Sequence, residues 1–289
     1  MTLRELELFY GLCENPHLLN LSKEIGLSQS AISLAIKSLE GKLSEHLFDR
    51  IGKKLVLNER GKAFKKKTYP HFLALKDAGS FFKQDKLSGV IKIASSKTIG
   101  NFIIPSLVFD FVQENADIAI VKDINNSAQI IDMVEEGNID IGIIEIDCHA
   151  PHIIKEVLGE DRLIVVSSDK NLAQKPLYID ELFDRKWLLR EQGSGTRELF
   201  LASLGDMKGQ IDFIECSEFE EMKTLLFKYP QSITCISEFA VQRELQGEEL
   251  FEIPVINRDL KRKFYIIYHE QKYKTTLFSA FYDFVKENF

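Results

Sequence analysis

The chain has 289 residues, 45% of them hydrophobic and 28% charged, the balance expected of a soluble globular protein and not of a disordered one. No apolar run approaches the roughly 18 uninterrupted residues of a membrane helix, and the start Met1-Thr2-Leu3-Arg4-Glu5 predicts no signal peptide. The four cysteines stand far apart, which points away from a disulfide framework and towards the cytoplasm. The net charge of -7 is unevenly divided: residues 1–88 hold 15 Lys+Arg against 10 Asp+Glu, and the remainder 22 against 34. A basic first third on an acidic remainder predicts that only the former meets a polyanion.

In chain order, Thr2-Leu3-Arg4-Glu5 is a capping-box pattern, and Leu6, Phe9, Tyr10 and Cys13 follow at helical spacing. Asn15-Pro16 stops that helix. A short second helix spans Leu19 to Ile25 with Gly26 as its C-cap, and Ser28 caps a third running to about Leu43. Ile32, Ile36, Leu39 and Leu43 form its core face, with Ser30, Ser33, Leu34 and Lys37 opposite and Gln29 in its first turn. That outward face is short, polar and nearly free of acid, which suits a helix entering a major groove. Two short apolar runs around Arg50, Lys53 and Lys54 predict a basic β-hairpin, a wing. Residues 58–85 read as one long helix interrupted by Pro70, with an apolar series including Phe64, Leu73, Ala78, Phe81 and Phe82. No partner for it is visible within the chain, and a second copy is the expected one.

From Val90 the pattern becomes strand–helix alternation, which implies an open α/β sheet. Strands are predicted at 90–94, 118–121, 139–144, 162–167, 187–190, 211–215, 233–237 and 263–268. Helices are predicted near 102–114, 127–136, 196–204, 219–227 and 277–287. This many strands in some 200 residues suggests two subdomains with a cleft between them.

The N-terminal segment resembles the LysR-type transcriptional regulators. The residues that carry the likeness are Leu3-Arg4-Glu5-Leu6 with Phe9, Ser28-Gln29-Ser30-Ala31-Ile32-Ser33, Ile36-Lys37-Ser38-Leu39-Glu40, Leu47-Phe48-Asp49-Arg50 and Leu57-Asn58-Glu59-Arg60-Gly61. Further on, Ile139-Asp140-Ile141-Gly142 and Arg190-Glu191-Gln192-Gly193-Ser194-Gly195-Thr196-Arg197 agree with it. The resemblance implies an α/β protein with a winged helix-turn-helix (1–58), a dimerising linker helix (59–88) and a two-subdomain effector domain like a periplasmic binding protein (89–289). It also implies tetramers assembled as dimers of dimers, so a homodimer or homotetramer is expected. The chain departs from the family at Ser30, where proline is usual, at Leu34, often basic, and at Leu21-Ser22, often Ala-Ala. It also has Lys228-Tyr229-Pro230-Gln231 in place of a Gly-rich turn bordering the cleft.

Two sets of site residues follow. Ser28 and Gln29 open the recognition helix, Ser30, Ser33 and Lys37 are placed for base edges, and Arg50, Lys53 and Lys54 for phosphates of double-stranded DNA. For the effector, Ser96, Thr98, Ser127, Ser194 and Thr196 lie in loops after strands that lead into helices. Hydroxyls and free N–H groups there suit a small anion. Each serine is also an ordinary helix cap. Asp147-Cys148-His149 with His152 has metal-like residue types without the paired spacing of dependable sites, so neither metal nor cofactor is expected. Gly193-Ser194-Gly195 is not a nucleophile elbow, and no catalytic set is present. The competing readings are a solute-binding protein or ligand sensor without DNA binding, and a hydrolase using Ser194.

Overall fold

In the computed structural model, which describes residues 1–52, 54–81 and 87–289, the chain opens on α1 (Leu3–Glu14). The Thr2 hydroxyl accepts from the Glu5 N–H at 3.2 Å and the Glu5 carboxylate from the Thr2 N–H at 2.8 Å, which is the expected capping box. Helix α2 (Leu18–Ile25) ends at Gly26 in the left-handed conformation (φ 68°). Helix α3 (Gln29–Leu43) starts at Ser28, whose Oγ accepts from the Ala31 N–H at 3.1 Å. Ile32, Ile36 and Leu39 share one core with Leu6, Phe9 and Leu12 of α1. Strands β1 (Phe48–Ile51) and β2 (Lys54–Leu57) form the wing, with Ile51 opposite Lys54. The Leu55 N–H donates to the Pro16 carbonyl at 2.9 Å and ties this hairpin to the turn before α2.

Helix α4 (Glu59–Phe81) carries Pro70 within it. Asn58 starts it: Oδ1 accepts from the Gly61 N–H at 2.9 Å, and Nδ2 donates to the His46 carbonyl at 3.0 Å. A Cβ at residue 61 would stand 2.1 Å from the Leu47 carbonyl oxygen, so only glycine lets α4 lie this close to the wing. The expectation that α4 lacks a partner within the chain is corrected. Phe64 meets Phe9 edge-on at 5.2 Å, and Tyr69 and Phe72 flank Tyr10 at 4.8 and 4.7 Å. These positions recur at helical spacing and turn one face of α4 onto α1. Further along, Leu75 is 58% exposed. Phe82 and the Phe81 side chain lie outside the described residues.

Contacts divide the chain into two compact units, 1–85 and 86–289. In the second, nine strands form one sheet. Its first lobe holds β3 (Ser88–Ser96) between β4 (Asp117–Asn125) and β5 (Ile141–Ile144), all parallel. Its second lobe holds β7 (Lys186–Arg190) between β8 (Asp212–Cys216) and β9 (Ser232–Ser237), also parallel. Two antiparallel strands join the lobes: β6 (Ile153–Ser167), which also takes the short β10 (Phe251–Ile253), and β11 (Lys261–His269). Thus β6 begins well before the expected residue 162.

The helix expected over 102–114 is α6 (Ile104–Glu114), and a separate short helix, α5 (Lys97–Phe102), precedes it. Pro105, in the first turn of α6, lacks the N–H that a continuous helix needs. Helix α7 (Ser127–Glu135) is capped by Asn126, whose Oδ1 accepts from the Gln129 N–H at 2.9 Å, so Ser127 is not the cap. In the second lobe α8 (Gly195–Leu204) and α9 (Phe219–Lys228) were expected and α10 (Glu238–Gln246) was not; α11 (Thr276–Asn288) closes the chain. Separate cores lie within each lobe. Phe111, Phe264 and Phe281 centre one, and Trp187, its ring tilted against that of Phe200 at 4.7 Å, centres another.

Candidate functional site

On the first unit, Ser28, Gln29, Ser30 and Lys37 are exposed along α3 and Ser33 is half-buried. Ser28 Oγ lies 2.9 Å from Ser30 Oγ, so the cap is held from the outward face as well. Gln29, Arg50 and Lys54 line one hollow of ≈ 650 Å³ with His17, Asn20 and Gly52. The fold therefore brings the helix start and the wing to one place and adds two polar residues from α2's N-terminus that sequence reasoning missed. Lys53 lies outside the described residues. Beneath α3, Glu5 accepts from Lys42 Nζ at 2.6 Å and Ser38 Oγ at 2.8 Å. Lys42 first, then Ser38, hold its carboxyl down at about 2. The same carboxylate caps α1 and fixes α3 against it.

The second site lies where the parallel strands of both lobes end. Ser96 closes β3, Thr98 sits in α5, Glu145 follows β5, Thr196 opens α8 and Ser237 closes β9. They surround Arg262 of β11 and Asp161 of β6, and all seven are buried. Arg262 Nε donates to Asp161 Oδ2 at 2.7 Å, Nη1 to Thr196 Oγ1 at 3.0 Å and Nη2 to Thr98 Oγ1 at 3.4 Å. Nη2 also stands 3.1 Å from Glu145 Oε2. Ser96 Oγ donates to Glu145 Oε2 at 3.1 Å, Thr196 Oγ1 to Glu145 Oε1 at 3.4 Å and Ser237 Oγ to Asp161 Oδ1 at 3.0 Å. Two carboxylates thus face one guanidinium. Burial pushes the Asp161 carboxyl above its ordinary value, and Arg262 draws it back only in part.

Three of the five expected effector residues, Ser96, Thr98 and Thr196, meet in this cluster. Ser127 reaches it through its Oγ, which accepts from the Glu145 N–H at 3.4 Å. Ser194 caps α8 without a side-chain hydrogen bond, and its buried Oγ has no partner among the described residues. A Cβ at residue 195 would meet Glu145 Cγ at 2.7 Å, so glycine is what lets this carboxylate lie against the first turn of α8. The free N–H groups of that turn favour an anion.

The family model "LysR substrate binding domain" matches residues 84–289, and "Bacterial regulatory helix-turn-helix protein, lysR family" matches residues 3–62. The chain belongs to the LysR family of transcriptional regulators. The uncharacterized HTH-type transcriptional regulator YeiE of Escherichia coli (strain K12) is 34% identical over 290 residues, covering 98% of this chain and 97% of that one. A cysteine-to-aspartate variant of full-length OxyR from Pseudomonas aeruginosa shares the fold with a TM-score of 0.81 at 17% identity, covering 99% of this chain and 95% of that one. The regulatory domain of CcmR from Synechocystis PCC6803, in complex with 2-PG, does so with a TM-score of 0.62 at 22% identity, covering 69% and 97%. The helix-turn-helix match sets aside the reading as a solute-binding protein without a DNA-binding module.

In this LysR-type regulator, sequence reasoning missed the charged heart of the cluster between the lobes: Glu145, Asp161 and Arg262. The signal was strand alternation. Arg262 shares the phase of the buried Phe264 and Ile266, and Asp161 that of Leu163 and Val165. Lys97 and Arg197, left open between ligand charge and surface pairing, are both paired. Lys97 donates to the Ser217 carbonyl and to Glu218 at 2.7 Å, while Arg197 pairs with Glu215. Asp147 pairs with Lys155, and His152 with Glu270 at 2.7 Å. Among the described residues no three His, Cys, Asp or Glu are placed to hold a metal ion. No helix among them is long and apolar enough to cross a membrane.

Proposed function

We propose that this regulator responds to a small anionic effector, held between the lobes by Ser96, Thr98, Ser127, Ser194 and Thr196. DNA would be gripped by Ser28, Gln29, Ser30, Ser33, Lys37, Arg50, Lys53 and Lys54, and the protein would act in the cytoplasm as a homodimer or homotetramer. The observation that carries the effector reading is the environment of Glu145. Its carboxylate is an anion already seated on two hydroxyls, a guanidinium and the first turn of α8. A donor set that suits one carboxylate suits another compact anion. The second unit has an excess of acid, so its mean field repels an anion and only local dipoles of this kind can hold one. The CcmR domain of the same fold was solved with a small molecule, 2-PG.

An entering anion takes over donors that Glu145 now holds, because a third negative charge beside Asp161 and Glu145 is too costly to bury. The test is a thermal-shift screen of the full chain with inorganic oxyanions, short carboxylates and sugar phosphates. A ligand at 100-fold its dissociation constant stabilises by about 2.7 kcal/mol. Glu145→Gln, which removes the competing charge and keeps the shape, is expected to strengthen binding of the anion found. Stabilisation by uncharged or cationic compounds alone would refute the anionic reading.

A further inference from the structure

We propose that Arg262 is the tie that sets the angle between the two lobes, a positioning residue through which occupancy of the cleft reaches the lobes. The tie itself does not depend on the cleft taking an anion; the transmission of occupancy rests on that reading.

Arg262 lies on β11, one of the two strands that join the lobes, in register with Asp161 of β6. Its Nε–Asp161 bond at 2.7 Å holds the guanidinium to the crossover itself. Asp161 is steadied in turn by Ser237 Oγ, from the start of α10, at 3.0 Å. The remaining donors divide between the lobes. Nη2 stands 2.6 Å from the same Asp161 oxygen and also reaches the first lobe, with Thr98 Oγ1 at 3.4 Å and Glu145 Oε2 at 3.1 Å. Nη1 serves the second lobe, with Thr196 Oγ1 at 3.0 Å.

A guanidinium is planar, so the directions of its donors are fixed relative to one another. If α8 turns away from α5 about the crossover strands, the group cannot follow both hydroxyls. One of its bonds must break in a site where water does not replace it. An ammonium on a flexible stem lacks that property. Thr196 couples the tie to the ligand position, because its hydroxyl accepts from Arg262 and donates to Glu145. Anything that displaces the Glu145 carboxylate therefore changes what Thr196 and Arg262 can reach in the opposite lobe. Lys97 also crosses between lobes, to the Ser217 carbonyl, to Glu218 at 2.7 Å and to Glu191 at 3.7 Å, but the Glu218 carboxylate is on the open rim (65% exposed), where a pair of charges fixes little, and an ammonium on a flexible stem can follow its partners.

Amide hydrogen exchange of the full chain tests the tie without any ligand. Thr98→Val, in the first lobe, is expected to raise exchange in α8 of the second, and Thr196→Val in α5 of the first, each roughly tenfold for the loss of a bond to a charged group. The double variant should add little to either single one, because both act through one guanidinium. Lys97→Met should change exchange only near the rim. In an Arg262→Lys background, which keeps a charge beside Asp161, Thr98→Val should no longer reach α8. Valines that each loosen only their own lobe, or whose effects sum fully, would overturn the tie. Should Arg262→Lys fail to fold, the threonine variants alone decide.

Discussion

At the scale of single residues, two buried carboxylates do opposite work. Glu5 has every partner it needs: the N-terminus of α1, Ser38 and Lys42. Its carboxyl is held at about 2 against an ordinary 4.5, so its contribution to stability is complete above pH 4.5 and is lost as pH falls towards 2. Thermal melts of wild type and Glu5→Gln across that window should converge as Glu5 protonates; a constant gap would show that the carboxylate charge is irrelevant. Glu145 lies instead in a cluster with one negative charge in excess, which is poor for stability and suited to exchange of one anion for another. Ser96→Ala and Thr196→Val should each weaken an anion from the screen about tenfold or more, as for the loss of a hydrogen bond to a charged ligand, measured by calorimetry. Unchanged affinity in both variants would place the effector elsewhere.

At the scale of elements, the roles proposed for α3 and the wing differ because groove-facing side chains read bases and hairpin-tip cations hold phosphates. Lys54→Ala should weaken binding to all duplexes alike, whereas Lys37→Ala should alter the ranking among duplexes. Competition binding against a random-sequence pool separates the two, and a ranking changed by Lys54→Ala would reverse the assignment. Helix α4 is the element whose context the sequence hid. Its apolar spacing says that one face is covered without saying by what, and Phe9 and Tyr10 of α1 prove to cover its first turns. Phe72→Ala should therefore cost the first unit about 3–5 kcal/mol, seen as faster amide exchange in α1. The fluorescence of Trp187, in the second unit, should not move with it. If α1 stays as protected as in wild type, the packing of α4 on α1 is not what holds the first unit.

At the scale of the whole molecule, the order of helices, wing and alternating α/β units was legible in the sequence, because caps, turns and periodicity are local signals. Ser28 and Gly26 mark helix ends whatever surrounds them. The small hydroxyls between the lobes were legible for the same reason, as residues that follow strands. Arg262, Asp161 and Glu145 were not, because only the tertiary fold brings together side chains more than a hundred residues apart. Nor was the separate α5 ahead of Pro105 resolved, or the extension of β6 back to Ile153, where alternation is weak and only Asp161 of the residues before 162 is buried.

The basic first unit should bind duplex DNA with an affinity that falls steeply with salt, at a log–log slope of about -0.9 per phosphate neutralised; an affinity independent of salt would contradict a phosphate-gripping surface. The central claim joins this unit to the cleft. The most direct measurement is fluorescence anisotropy of a duplex selected by the protein from a random pool, titrated with full-length wild type and Thr196→Val over a series of concentrations of the anion found in the screen. The account predicts that the anion shifts DNA affinity in both, and that Thr196→Val needs about tenfold more of it for the same shift. An anion response of equal midpoint in the two proteins would contradict it.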